Sequence, residues 1–325
     1  MTTRDRLLGL TVVVLWGLNF IAIRVGLDHF PPFFFAALRF AVMAVPVVLF
    51  VKFPRVHRRW FLLYAVGFGF GQFAFLFLAM NHGMPTGLAS LVLQTSAPFT
   101  VLLGVIFLRE RLAPAQIFGI TVAVAGIVVI GVDRAGHSSI GVGIVIPMVL
   151  TVLAGLSWAF GNIGSRLAQP DDAVRMTLWM SVVPPIPFLA LSFATEGPRA
   201  DLTSLTTLGS SSGLIALAGL AYVVLLGTIA GSGLWTMLMK RYEASRVAPL
   251  SLLVPVVGIS ASWVLLGEVP SGIEIAGAAL VIAGCAAGVL AAPRSRMRVS
   301  TGESSVRAPH APRRASPIPL VGQQD

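Results

Sequence analysis

The sequence predicts an all-α membrane protein: ten transmembrane helices, arranged as two inverted five-helix repeats, with both termini in the cytoplasm. Three observations predict it. The 325 residues are 56% hydrophobic and only 11% charged, against about one-quarter charged in an average soluble domain. The apolar residues form long continuous runs, not the alternation that a membrane barrel requires. Short stretches of the first half also return in the second half in the same order.

A helix needs about 20 mostly apolar residues to cross a bilayer. Ten runs qualify: 7–27, 33–51, 61–80, 87–108, 117–132, 140–164, 176–194, 213–239, 247–267 and 274–292. The fifth is the shortest. The first follows a short basic stretch, Met1–Arg6, as the core of a signal peptide would. It is long enough to span, and nine runs follow it, so it reads as an uncleaved helix.

Charge sets the orientation. Nineteen of the 23 Lys and Arg fall at the N-terminus, in every second loop and in the tail. They include Arg4 and Arg6, Lys52 to Arg59, Arg109 and Arg111, Arg166 and Arg175, Lys240 to Arg246, and six arginines from Arg294 onward. The opposite loops hold only Arg134 and Arg199. The positive-inside rule then places both termini in the cytoplasm, and an even number of spans agrees. The tail, 293–325, is rich in Pro, Ser and Arg and lacks apolar periodicity, so it reads as disordered. Its arginines anchor topology and are placed to rest on anionic lipid.

The net charge of +10 is scattered between apolar runs, which argues against a nucleic-acid face. Cys285 is the only cysteine, and the five histidines are dispersed, so no metal site is expected. There is no Walker A motif, and neither GxSxG nor HExxH is present. No cofactor and no enzyme activity are expected. No Asp or Glu falls in the middle of a span, which disfavours export of lipophilic cations through an embedded carboxylate.

The repeat is visible in residues. Trp16 and Arg24 are eight apart, as are Trp158 and Arg166, at an offset of 142. Each pair brackets an asparagine, Asn19 or Asn162, one residue out of register. Gly67 and Gly71 match Gly227 and Gly231 at offset 160. Glu110, Gly119 and Gly126 match Glu268, Gly277 and Gly284 at offset 158. The second half carries about 16 extra residues, best placed in the Ser/Thr/Gly-rich loop 195–212. Five helices per unit force the two units into opposite orientations, an arrangement that secondary transporters use to build a site between the repeats. The Gly67/Gly71 and Gly227/Gly231 pairs read as helix-packing faces, within the chain or in a homodimer.

Polar residues inside the apolar runs are few, and each costs free energy unless it is paired. Asn19, Asn162, Gln72 and Gln94 bind a polar substrate or link helices. Trp16 and Trp158 wall a cavity or pack between helices. Arg39, seven residues into its span and without a counterpart in the second half, holds a carboxylate, bonds carbonyls or snorkels. Arg24, Arg166, Glu110 and Glu268 lie at span ends and read as peripheral.

"VVVLWGLNF" (12–20), "LRF" (38–40), "GLASLVLQ" (87–94) and "RYEASRVAPLSLLVPVVG" (241–258), with Glu268, Gly277 and Gly284, resemble the EamA-type transporters of the drug/metabolite transporter superfamily. The resemblance runs from about residue 5 to 292, with repeats at 5–132 and 140–292. It implies a bacterial inner-membrane exporter of small amino-acid metabolites, such as O-acetylserine and cysteine, working by alternating access. Other metabolites or drugs on the same fold, or a membrane scaffold, are the alternatives. The residues expected in the cavity are Trp16, Asn19, Arg39, Gln72, Gln94, Trp158 and Asn162.

Overall fold

A computed structural model describes residues 1–109, 112–137, 145–242 and 247–290, all within one compact unit, Met1–Pro293. The 293–325 tail and Glu110 lie outside the described residues. The regular elements among the described residues are all helices, with no strand among them. The helices are α1 (Thr3–Leu27), α2 (Pro32–Phe50), α3 (Arg58–Asn81), α4 (Thr86–Leu108), α5 (Pro114–His137), α6 (Val145–Ala168), α7 (Ala173–Thr195), α8 (Pro198–Thr206), α9 (Ser211–Met239), α10 (Pro249–Leu266) and α11 (Gly272–Leu290). Nine of the described helices are long and apolar enough to cross a membrane: α1 to α7, α9 and α10. α11 adds a shorter apolar stretch, Gly272–Ala287.

Local chemistry sets the helix ends. Proline opens α2, α5, α8 and α10, where its missing N–H costs nothing. Thr2 caps α1 by accepting from Asp5 N at 3.2 Å. Asp172 caps α7 by accepting from Val174 N at 2.9 Å and Arg175 N at 3.2 Å. The Arg175 amide is the main group holding the Asp172 carboxyl below the usual carboxylate range. α4 and α10 end alike: Arg109 (φ 55°) and Gly267 (φ 70°), 158 residues apart, are both left-handed, the conformation that turns a chain out of a helix.

Contacts between matched glycines reveal the two-fold relation of the halves. A methyl group on Gly126 would sit 2.7 Å from Gly277 O, and one on Gly284 would sit 2.5 Å from Gly119 O. Gly119 matches Gly277 and Gly126 matches Gly284, so each residue meets the partner of the other, as a two-fold axis demands. The order of these contacts also makes α5 and α11 antiparallel. Elsewhere the halves exchange helices: α1 packs on α9 and α10, while α6 packs on α3 and α4. The glycine pairs Gly67/Gly71 and Gly227/Gly231 are filled within the chain, by α6 and α1 respectively.

Symmetry extends to the irregular turns. α3 carries a π-helical segment at Ala65–Gly71 and α9 carries one at Tyr222–Ala230. A 3₁₀ turn lies within α4 at Leu93–Thr95, and another, Ala248–Leu253, forms the start of α10. Two features depart from the sequence reading. The seventh span is broken between Met180 and Pro185, in a stretch containing Pro184, Pro185 and Pro187. The loop at 195–212 contains α8. There Asp201, 3% exposed, turns inward to Ser192 Oγ at 2.8 Å.

The core is aromatic. Phe35, Phe40, Phe77 and Phe188 are almost fully buried, and their rings stack or meet edge to face across α2, α3 and α7. Outward-facing Phe50 (82% exposed), Ile186 (77%) and Val264 (77%) show that the periphery is apolar as well. Apolar groups both inside and outside require lipid as the solvent.

Candidate functional site

α1, α2, α3 and α9 meet around one buried cation. Arg39 is 5% exposed and lies inside the aromatic core. Its guanidinium carbon is 4.0 Å from the centre of the Phe73 ring and 5.3 Å from that of Phe40. Nη2 donates to Thr228 Oγ1 at 3.1 Å. The Thr228 hydroxyl gives its own hydrogen to Val223 O at 2.8 Å, five residues back in the π-helical register. Its oxygen is thereby fixed as an acceptor for Arg39. Nε and Nη1 are buried without an acceptor, and no carboxylate among the described residues pairs with the guanidinium. A charge in this position costs about 2.5–3.5 kcal/mol to insert, and cation–π contacts return about 0.5–2 kcal/mol of that.

Two amide oxygens share this predicament. Asn19 Oδ1 is buried and accepts nothing. It lies against Gly227, the residue before Thr228, where a methyl group would overlap it. Gln72 is 4% exposed, its Oε1 also accepts nothing, and it precedes Phe73 in the chain. Trp16, one turn before Asn19, donates from Nε1 to Gly227 O at 3.0 Å and packs on Trp235 with ring centres 5.1 Å apart. Trp16, Asn19 and Arg39 therefore gather at Gly227 and Thr228 as one cluster, and Gln72 lies on the helix that brings Phe73 to it.

The other three expected residues do not join it. Gln94, on the 3₁₀ turn of α4, donates to Ser251 O at 3.3 Å. Asn162 donates to Thr100 Oγ1 at 3.0 Å, and Trp158 meets Phe68 edge to face at 5.4 Å. All three link helices of opposite repeats. The register difference between the asparagines is real in space: Gly161, at the offset matching Asn19, packs on Gly67 just as Asn19 packs on Gly227.

Sequence reading missed Thr228 and Phe73, because one threonine and one phenylalanine among many carry no signal without the fold. It also undervalued the glutamates at span ends. Glu268 accepts from Thr86 N at 2.9 Å and Gly87 N at 3.0 Å, capping α4 of the other repeat. Glu196 does the same for α2 through Phe33 N and Phe34 N, at 2.8 and 3.1 Å. A cavity of about 250 Å³ lies near Glu268 between α4, α10 and α11. It shares no lining residue with the Arg39 cluster and is almost wholly apolar.

Comparison with known proteins is decisive on the family. The model of the EamA-like transporter family matches residues 6–132 and 145–289, one match for each half. The chain belongs to the EamA-like transporter family. A relative from Salmonella typhimurium named "Probable amino-acid metabolite efflux pump" is 44% identical over 288 residues, covering 87% of this chain and 94% of the relative. A protein of the same name from Escherichia coli is 40% identical over the same shares. A "Probable terminal-alkyne amino-acid exporter" from Streptantibioticus cattleyicolor is 29% identical, over 84% of this chain and 89% of that one. A solved structure superposes with a TM-score of 0.59 at 21% identity, covering 92% of this chain and all of the other, a likeness of fold alone. This EamA-like protein is thus a multi-pass membrane protein, and its relatives point to a small-molecule exporter, not an enzyme.

Proposed function

We propose that this chain exports small amino-acid metabolites, O-acetylserine and cysteine among them, across a bacterial inner membrane by alternating access. α11 is the tenth span, and both termini are cytoplasmic, as the loop arginines and lysines require. The repeats, 5–132 and 140–292, rock about a site between them. Trp16, Asn19, Arg39 and Gln72 form its polar part, while Gln94, Trp158 and Asn162 lie along the repeat interface. The observation that carries the reading is the buried guanidinium of Arg39, which has no carboxylate of its own. A substrate carboxylate supplies the missing charge. The names of the relatives support the amino-acid class.

The test is efflux from proteoliposomes loaded with labelled O-acetylserine or cysteine, with lysine and a lipophilic cation as controls. Selective loss of the small neutral amino acids is expected. Loss of a control compound alone would keep the fold and discard this substrate class. Absence of any flux from folded protein would favour a membrane scaffold.

A further inference from the structure

We infer that the Arg39 cluster is a receptor for both ends of one zwitterion: the guanidinium takes an α-carboxylate, and the amide oxygens of Asn19 and Gln72 take the neighbouring ammonium. The inference rests on the reading of that cluster as the transport site, and it assigns a role to each unpaired atom.

The donors come first. A guanidinium has five N–H groups in a planar fork. The guanidinium carbon of Arg39 lies over the Phe73 ring, 4.0 Å from its centre, and Nε and Nη1 have no acceptor. Thr228 takes one of the two Nη2 hydrogens. The other Nη2 hydrogen, with Nε–H or an Nη1 hydrogen, completes a parallel pair matched to the two oxygens of a carboxylate. Lysine presents a point charge and cannot form that pair.

The acceptors follow. Asn19 Oδ1 and Gln72 Oε1 carry lone pairs that nothing in the described chain uses. Burying such atoms unpaired is costly. Asn19 reaches the site beside Gly227, whose neighbour Thr228 holds Arg39. Gln72 is on α3, one residue before the Phe73 on which Arg39 lies. Neither amide oxygen is bonded to the guanidinium, so both remain open to a donor that carries positive charge.

The site is also one-sided. At the repeat offsets, Arg39 corresponds to Ser181, Asn19 to Gly161, Gln72 to Ser232 and Thr228 to Phe68. Ser181 Oγ is spent on Leu178 O at 2.6 Å. The second repeat therefore offers no copy of the receptor. One zwitterion binds per chain, off the two-fold axis, where α9 of the second repeat meets α1, α2 and α3 of the first.

The experiment measures binding to purified wild-type protein as thermal stabilisation, using a thiol-reactive dye on Cys285, which is 4% exposed and the chain's only cysteine. The probes are S-methyl-L-cysteine, its methyl ester and its N-acetyl derivative, none of which has a free thiol. The parent compound is expected to stabilise. The ester and the N-acetyl compound should each need at least about tenfold more for the same shift, the scale of one charged hydrogen bond. Arg39→Lys should weaken the parent by a similar factor and leave the ester unchanged, because the ester never used the fork. Equal potency of either derivative, full affinity in Arg39→Lys, or no stabilisation by the parent compound overturns the receptor. Selective efflux with an equally potent ester leaves the exporter standing without it. Group-dependent binding without efflux keeps the receptor and removes the exporter.

Discussion

Removing the Glu268 carboxylate should loosen the joint between the repeats by a predictable amount. Its two oxygens accept from Thr86 N and Gly87 N at 2.9 and 3.0 Å, at the first turn of α4. Those amides have no acceptor within their own helix, and the helix dipole adds to the attraction. Two charged hydrogen bonds are worth about 3–6 kcal/mol in a buried site. Glu268 is half-buried at a helix end, where water can replace part of the loss, so about 2–3 kcal/mol is the appropriate cost for Glu268→Ala. Glu268→Gln keeps one neutral acceptor and should cost about 1 kcal/mol. At about 2 °C per kcal/mol for a chain of this size, the unfolding midpoint falls by about 5 °C for alanine and about 2 °C for glutamine. The Cys285 dye assay reads both in detergent. Equal midpoints for all three proteins, or a glutamine variant as damaged as alanine, would refute the capping argument.

Three more outcomes follow from the packing. A methyl group at Gly67 would sit 2.5 Å from Gly161 N and 2.7 Å from Ser157 O, both backbone atoms. Gly67→Ala must therefore part α3 from α6 at a cost of about 1–3 kcal/mol, whereas Gly209→Ala, with nothing within 4 Å, should be neutral; size-exclusion profiles after heating compare the two. Gly227→Ala crowds the Asn19 amide, so it should lower affinity for S-methylcysteine more than it lowers the unfolding midpoint. Asp5→Ala cuts the bonds to Arg241 (2.9 Å), Tyr242 (2.5 Å) and Thr2 (2.8 Å) that tie α1 to the end of α9. Arg241 is half exposed and can be solvated, so a modest fall of the unfolding midpoint is expected in the same melt, and an unchanged midpoint would contradict it.

Much of this architecture is legible in the sequence because lipid imposes a simple rule: long apolar runs must be helices. The matched glycines were also legible, since close helix contact demands a missing side chain wherever it occurs. Gly126 against Gly277 and Gly284 against Gly119 bear that out. Boundaries were harder. Hydropathy starts the first span at Leu7, but α1 begins at Thr3, because Asp5 finds its partners more than 230 residues away. The α7 break and α8 escaped for the same reason: prolines in an apolar run and a polar loop do not announce their tertiary partners. At the site, Arg39 stood out as a charge in an oily run. Its acceptor Thr228 and its aromatic floor Phe73 did not, because nothing in their spacing links α2 to α9 or α3. The π-helical register that aims Thr228 is likewise a property of the folded helix.

The measurement that tests the central claim most directly compares efflux of labelled O-acetylserine from proteoliposomes holding equal amounts of wild-type and Arg39→Ala protein. The account predicts rapid, saturable loss with the wild type and a rate close to empty liposomes with the variant, at an unchanged level of inserted, folded protein. A variant that exports at the wild-type rate would remove Arg39 from the site and contradict the account.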